Sequence, residues 1–213
     1  EVVTDALIAE VRDNPKIIKY LDIPLQHSED RILKLMGRRG TRSEYLALIA
    51  RLRREIPQIA LRTTFIAGFP TETEEEHAAL TEFLRQAQFE NCGFFAYSRE
   101  EGTPAYRLKG QIPARIKERR VRALYRVQEQ ISQNRLSAFV GRTVKVLCDG
   151  IDYERSCFVG HACFQAYDVD GKVFFNAPRA ETGAFYDVLI DRADEADLYG
   201  KVCREPGRPL PRA

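Results

Sequence analysis

Hydrophobic spacing changes once along the chain, from a helical period to a period of two, and the change divides it. Over residues 4–13, Leu7, Ile8 and Val11 recur at helical spacing behind Thr4, a hydroxyl placed to cap a helix, and Asn14-Pro15 ends the run. Residues 17–23 form a short apolar stretch closed by Pro24, which predicts a buried strand. Ser28 is placed to cap a short helix through Leu35. Thr41-x-x-Glu44 and Thr73-x-x-Glu76 are capping boxes. The helix behind the first puts Tyr45, Leu46, Ile49 and Leu52 on one face; the helix behind the second runs to about residue 88. Residues 59–67 and 91–97 read as further strands, the first closed by Gly68-Phe69-Pro70.

Helix and strand therefore alternate three times, the pattern of parallel βα units with right-handed crossovers. Three strands cannot close a barrel of about eight, so a partial (βα) barrel or an open sheet is expected. After a loop over 98–112, Pro113 stands at the first turn of a long helix to about residue 138, with Ile116, Leu124, Val127 and Ile131 as its apolar stripe. That helix carries seven Arg or Lys against two Glu, which fits either a solvated face or a surface for nucleic acid or an acidic partner. From Val140 the period becomes two. Val144, Val146 and Cys148 alternate with polar residues, and further short runs follow, separated by turns such as Asp149-Gly150 and Asp170-Gly171. About five antiparallel strands in this stretch predict a small β-barrel of the OB type. The expected organisation is α/β: a partial barrel with its long helix over 1–138, a small β-barrel over 139–204, and a disordered tail over 205–213.

Composition narrows the class. The 213 residues are 44% apolar and 30% charged, ordinary for a soluble globular protein. No apolar run approaches the roughly 18 residues of a membrane span. The five cysteines (Cys92, Cys148, Cys157, Cys163 and Cys203) include no Cys-x-x-Cys pair, so they read as free thiols in a reducing compartment, and a cytoplasmic location is expected. The chain starts at Glu1, without Met and inside a helical pattern, which gives the expectation that sequence upstream has been cut away. Charge divides at the same place as periodicity. Residues 1–138 carry 23 basic and 19 acidic residues, net +4, whereas 139–203 carry 7 and 11, net −4.

Two segments are specific beyond pattern: Tyr20-Leu-Asp-Ile-Pro-Leu-Gln-His27 and Leu61-Arg-Thr-Thr-Phe-Ile-Ala-Gly-Phe-Pro-Thr-Glu-Thr73. With Phe94-Phe-Ala-Tyr-Ser-Arg-Glu-Glu-Gly-Thr103 and the Arg-rich helix, they resemble the methylthiotransferase branch of the radical S-adenosylmethionine (radical SAM) enzymes, and the last 65 or so residues resemble its TRAM domain. The tRNA-modifying members typically read His-Leu-Pro-Val-Gln-Ser at the first motif. This chain reads Asp22-Ile-Pro-Leu-Gln-His27, similar to the subfamily that methylthiolates an aspartate of a small-subunit ribosomal protein (RimO). It departs from the family at Thr71, where glycine is usual, and at several usual Gly and Pro positions within 156–167.

The resemblance implies a transferase that uses S-adenosylmethionine and two four-iron four-sulfur clusters. A reduced cluster cleaves the cofactor, and the resulting radical abstracts hydrogen from an unactivated carbon. Such a cluster takes its thiolates from a tight Cys-x-x-x-Cys-x-x-Cys loop, which this chain lacks. The ligands are expected in a missing N-terminal half, and the chain alone is expected to be inactive. What remains is the cofactor's other wall. Gln26 is placed to bond the ribose or amino-acid part, or else its own backbone. Arg62 is placed to fork onto the methionine carboxylate, or to form an ordinary salt bridge. Gly68 admits backbone close to adenine, or simply turns the chain. Glu72 binds cofactor or caps a helix. Phe95 and Tyr97 line the adenine or pack in the core. His27 reads as a loop histidine with a structural bond.

The barrel's acidity bears on the partner. A module that grips RNA should be basic; this one carries Asp149, Asp152 and Asp168 in or beside its turns, which suits a basic ribosomal protein as substrate. A tRNA adenosine methylthiotransferase, or a non-catalytic RNA-binding module using the Arg-rich helix, stand as alternatives.

Overall fold

A computed structural model of the chain describes residues 3–204; the tail expected to be disordered, 205–213, lies outside them. The chain divides into two compact units, Glu1–Ile131 and Ser132–Ala213.

The first unit alternates helix and strand as the spacing predicts: α1 (Asp5–Asp13), β1 (Tyr20–Asp22), α2 (Asp30–Leu35), α3 (Arg42–Glu55), β2 (Ala60–Ala67), α4 (Glu74–Ala87) and β3 (Asn91–Ala96). A 3-10 turn at Pro104–Arg107 precedes the long helix α5 (Ala114–Ser137). The sheet runs β1-β2-β3, all parallel, with Asp22 beside Arg62 and Ile66 beside Phe95. Strand β2 alternates strictly. Leu61, Phe65 and Ala67 are buried in the main core with Leu52, Leu80, Phe83 and Leu124, and Thr63 is buried on the same face. Arg62, Thr64 and Ile66 occupy the other face, which no helix covers as fully.

Both capping boxes form, with Thr41 and Thr73 each accepting from, and backed by, the glutamate three residues on. The Thr4 cap forms too. The Ser28 cap does not. Glu29 occupies the cap position without a side-chain bond, and Ser28 is buried, its hydroxyl turned to Glu29 Oε1 at 3.2 Å. Helix α5 buries Leu124 and Ile131 of the expected stripe, with Val127 partly buried against the same core and Ile116 half-buried, and adds the polar Arg120 and Gln128 to the buried face.

The second unit is a closed barrel of β4 (Thr143–Asp152), β5 (Cys157–Ala162), β6 (Val173–Asn176), β7 (Phe185–Ala193) and β8 (Leu198–Arg204), in the order β4-β5-β6-β8-β7. Its core gathers Val146, Cys148, Val173, Phe175, Val188, Ile190 and Leu198. The expected all-antiparallel barrel is corrected at one seam: β6 and β8 run parallel. Strand β7 intervenes in sequence, so β8 returns to β6 in the same direction. Glycines permit closure. A β-carbon at Gly160 or Gly200 would overlap the carbonyl oxygens of Leu147 or Leu189 on the neighbouring strand. No helix among the described residues is long and apolar enough to cross a membrane.

Candidate functional site

The sheet face opposite the main core, where Ile66 packs with Ile32, Phe69 and Tyr97, carries a row of side chains set by strand register. Asp22, Arg62, Thr64, Gly93 and Phe95 share it, because Arg62 pairs with Asp22 and Thr64 with Gly93. Gly93 lies within the row, and a β-carbon there would make ordinary contact, 3.4–3.5 Å, with the Phe95 ring, the Arg62 guanidinium and the Thr64 hydroxyl. The Phe95 ring is 58% exposed, an unusual position for a large apolar ring on a sheet. Arg62 Nη1 donates to Asp22 Oδ2 at 2.6 Å, so the ordinary ion pair exists and also fixes the guanidinium on this face.

Gln26, in the loop after β1, is held to β2 by its backbone and pairs there with Phe65. Its amide donates to Thr64 O and its carbonyl accepts from Ile66 N, both at 2.8 Å, which ties the loop to β2. The residue adopts φ 72°, a left-handed conformation that favours glycine. Its backbone is fully used in this tie, and its half-buried side-chain amide has no hydrogen bond among the described residues.

The other three expected cofactor residues stand behind the row. Gly68 (φ 76°) is approached by α5: a β-carbon there would overlap Lys117 Cγ. Glu72 is buried, accepting from the amides of Gly68 and of Phe69 (3.1 Å) and pairing with Arg120 at 3.3 Å. It is a cap of the β2–α4 turn. Burial raises its carboxyl to about 7, against the opposing pull of Arg120 and the two amides. Tyr97 packs edge-on against Phe69 at 5.1 Å, its hydroxyl buried, and its carbonyl accepts from Lys117 Nζ at 2.8 Å.

Around that turn lies a buried polar group whose members the sequence reading mostly passed over. Arg120 also donates to Glu72 O at 3.0 Å and to Glu74 Oε1 at 2.9 Å. His77 Nδ1 is 3.7 Å from Glu72 Oε1. Burial, then the Arg120 charge, lowers the His77 imidazole to about 4. His27 is fully buried, Nδ1 accepting from Glu29 N at 3.0 Å, and burial lowers its imidazole to about 4 as well. It is the structural histidine of the sequence reading. The signal for Arg120 was its spacing, four residues before Leu124 on the buried stripe.

In the barrel, Asp149 and Asp168 line one cleft, whereas Asp152 lies outside it. Asp149 pairs with His161 Nδ1 at 2.8 Å. Asp152 is taken by Arg155, through its amide at 2.8 Å and its guanidinium at 2.9 Å. Asp168 is exposed at φ 56°, without a partner among the described residues.

Comparison with known proteins fits this two-part geometry. Residues 1–84 match the radical SAM superfamily, and residues 140–203 match the TRAM domain. Over 201 residues, 94% of the chain, it is 45% identical to the ribosomal protein uS12 methylthiotransferase RimO of Pelobacter propionicus. The chain is similar in sequence to the RimO methylthiotransferases over nearly its whole length. The protein of that name from Thermodesulfovibrio yellowstonii is 44% identical over 94% of the chain, and that from Acetivibrio thermocellus 41% identical over 98%. The chain spans about half the length of these curated relatives, 45%, 47% and 46% respectively. The matched radical SAM segment includes Gln26, Arg62, Gly68 and Glu72; Phe95 and Tyr97 lie just beyond it.

Proposed function

We propose that this chain supplies the cofactor-facing wall and the substrate-recognising barrel of a radical SAM methylthiotransferase. The intact enzyme would add a methylthio group to the β-carbon of an aspartate in a small-subunit ribosomal protein, uS12 in the relatives' name. The observation that carries the reading is the sheet face opposite the main core, where the Arg62 guanidinium, fixed by Asp22, and the exposed Phe95 ring both border Gly93; the half-buried Gln26 amide is tied to the neighbouring strand edge by its backbone.

Those groups fit S-adenosylmethionine. Its carboxylate asks for a forked cation, its ribose and amino group for an amide, and its adenine for a flat apolar surface. We assign these contacts to Arg62, Gln26 and Phe95. Gly68, Glu72 and Tyr97 act behind them, fixing the β2–α4 turn and the end of β3. Asp22 orients the guanidinium, and the Phe95 ring keeps water from the face it covers.

Iron–sulfur clusters fit differently. Among the described residues no three His, Cys, Asp or Glu stand close enough to hold a metal ion. None of the five cysteines forms a Cys-x-x-Cys pair. The two clusters of the intact enzyme then take their ligands from residues outside this chain, and the chain alone turns over no substrate. Bound together, S-adenosylmethionine and a reduced cluster would supply a cofactor-derived radical able to abstract hydrogen from an unactivated carbon. The acidic barrel, net −4, recruits the basic protein.

Equilibrium dialysis with labelled S-adenosylmethionine tests the wall. Arg62→Ala should weaken binding about tenfold or more, the loss expected for a charge-assisted fork, and Arg62→Lys should recover part of it. Equal affinities would contradict the assignment. After iron and sulfide reconstitution, an iron–sulfur absorption band in the chain would contradict the placement of the clusters.

A further inference from the structure

We propose that the barrel carries a slot for a single cationic side chain, Lys or Arg, of a basic polypeptide. It is the cleft between β4, β5 and the loop over 163–172, lined by Asp149, Ile151, His161, Tyr167, Asp168 and Lys172 among others. The inference rests on the reading of the barrel as the protein-recognising element and says where and how it recognises.

The cleft pairs apolar walls with carboxylates. Tyr167 is 66% exposed and Ile151 50%, although both belong to the wall of a concave site. Exposed apolar side chains gathered in a cleft mark a surface that something covers. An aromatic face attracts a cation, and the methylene stem of Lys or Arg covers the aliphatic wall beside it. The Tyr167 ring leans on His161, 5.7 Å between centroids, and His161 is held by Asp149 at 2.8 Å. That pairing props the aromatic wall and places one carboxylate inside. Asp168 supplies a second carboxylate, without a partner among the described residues.

The same lining argues against an anion. His161 and Asp149 are committed to each other, which leaves Asp168 and Lys172 as the other charged side chains of the lining. A phosphate would meet two carboxylates, and the barrel around it is net −4. Asp152 supplies an internal control. It carries the same charge on the same barrel, but lies outside the cleft and is satisfied by Arg155. A diffuse acidic field would use Asp152 as well as Asp168; a slot would not.

The test uses the full 213-residue chain, isotope-labelled, titrated with an Arg-Gly repeat peptide and followed by amide chemical shifts. Shifts should concentrate at Gly150, Ile151, Tyr167, Asp168 and Gly171. Tyr167→Ala and Asp168→Asn, both exposed positions, should each weaken binding by roughly 3- to 30-fold, the range of a cation–π or partly desolvated charge contact. Asp152→Asn should leave affinity within about twofold, as for an already paired surface charge. Lys172→Ala should tighten binding, whereas an anion slot would lose affinity. Equal weakening by Asp152→Asn and Asp168→Asn, with Tyr167→Ala silent, would overturn the slot and leave the acidic-barrel reading standing. Failure of the wild-type chain to bind the peptide would overturn both.

Discussion

Thr71 shows how a single residue can carry a conformation meant for another. It sits at φ 70°, the left-handed region that a β-branched side chain disfavours most. It is also the position where the resembled family usually has glycine. Arg31 partly compensates, donating to Thr71 Oγ1 at 3.0 Å and to its carbonyl at 2.9 Å. Thr71→Gly should therefore stabilise the chain by about 1 kcal/mol, the strain relieved exceeding the entropy that glycine adds to the unfolded state. Urea unfolding of the two proteins measures it; a destabilised variant would contradict the strain. Ser156, at φ 52°, is another non-glycine residue in the left-handed region, between β4 and β5. Glu72 yields a pH prediction. Its folded value of about 7 exceeds the ordinary 4.5, so between those values the native state holds a proton that the unfolded chain has lost. Its contribution is full below 4.5 and is lost as pH rises through 7. Relative to Glu72→Gln, which mimics the protonated form, the wild type should lose about 1.4 kcal/mol of stability per pH unit across that window. Parallel stability profiles would show that Arg120 and the Gly68 and Phe69 amides outweigh burial.

Elements follow their local signals where those signals are backbone chemistry. The two capping boxes and Thr4 start their helices as read, because a hydroxyl beside three orphan amides has little else to bond. Ser28 fails for the opposite reason: its hydroxyl is buried beside Glu29. Helix α5 was legible in extent and in the apolar face of Leu124, Val127 and Ile131, but not in its buried Arg120 and Gln128. Seven basic residues conceal that Arg120 is buried against Glu72 and Glu74, where an ion pair takes a core position that hydrophobic spacing assigns only to apolar residues. The parallel seam between β6 and β8 has no local signature, since turns and alternation look alike in either direction. Its consequence is testable at Gly200 on β8. Gly200→Ala places a β-carbon on Leu189 O and should cost about 3 kcal/mol or more through forced separation of β7 and β8. Amide exchange should rise throughout β7 and β8 and stay slow in β2 and β3. Unchanged protection in β7 would mean that the barrel yields elsewhere.

Across the whole molecule, the change of hydrophobic period and the change of charge sign were both readable, and the chain does divide into a parallel βα unit and a closed barrel. The site was legible only in part. Arg62 and Phe95 fall on the sheet face opposite the main core, but the motif could not say that Glu72 and Tyr97 are buried, since that depends on α5 packing over the β2–α4 turn. In the same way the acidic count of the barrel could not separate Asp168, without a partner among the described residues, from Asp152, spent on Arg155. Both halves of the functional proposal meet in the choice of partner. Binding of the chain to purified uS12 and to bulk tRNA, compared at low and physiological salt, tests that choice most directly. The proposal predicts that uS12 binds, that Asp149→Asn with Asp168→Asn weakens it, and that tRNA does not bind at physiological salt. Tight tRNA binding that falls steeply with salt, with no affinity for uS12, would contradict it.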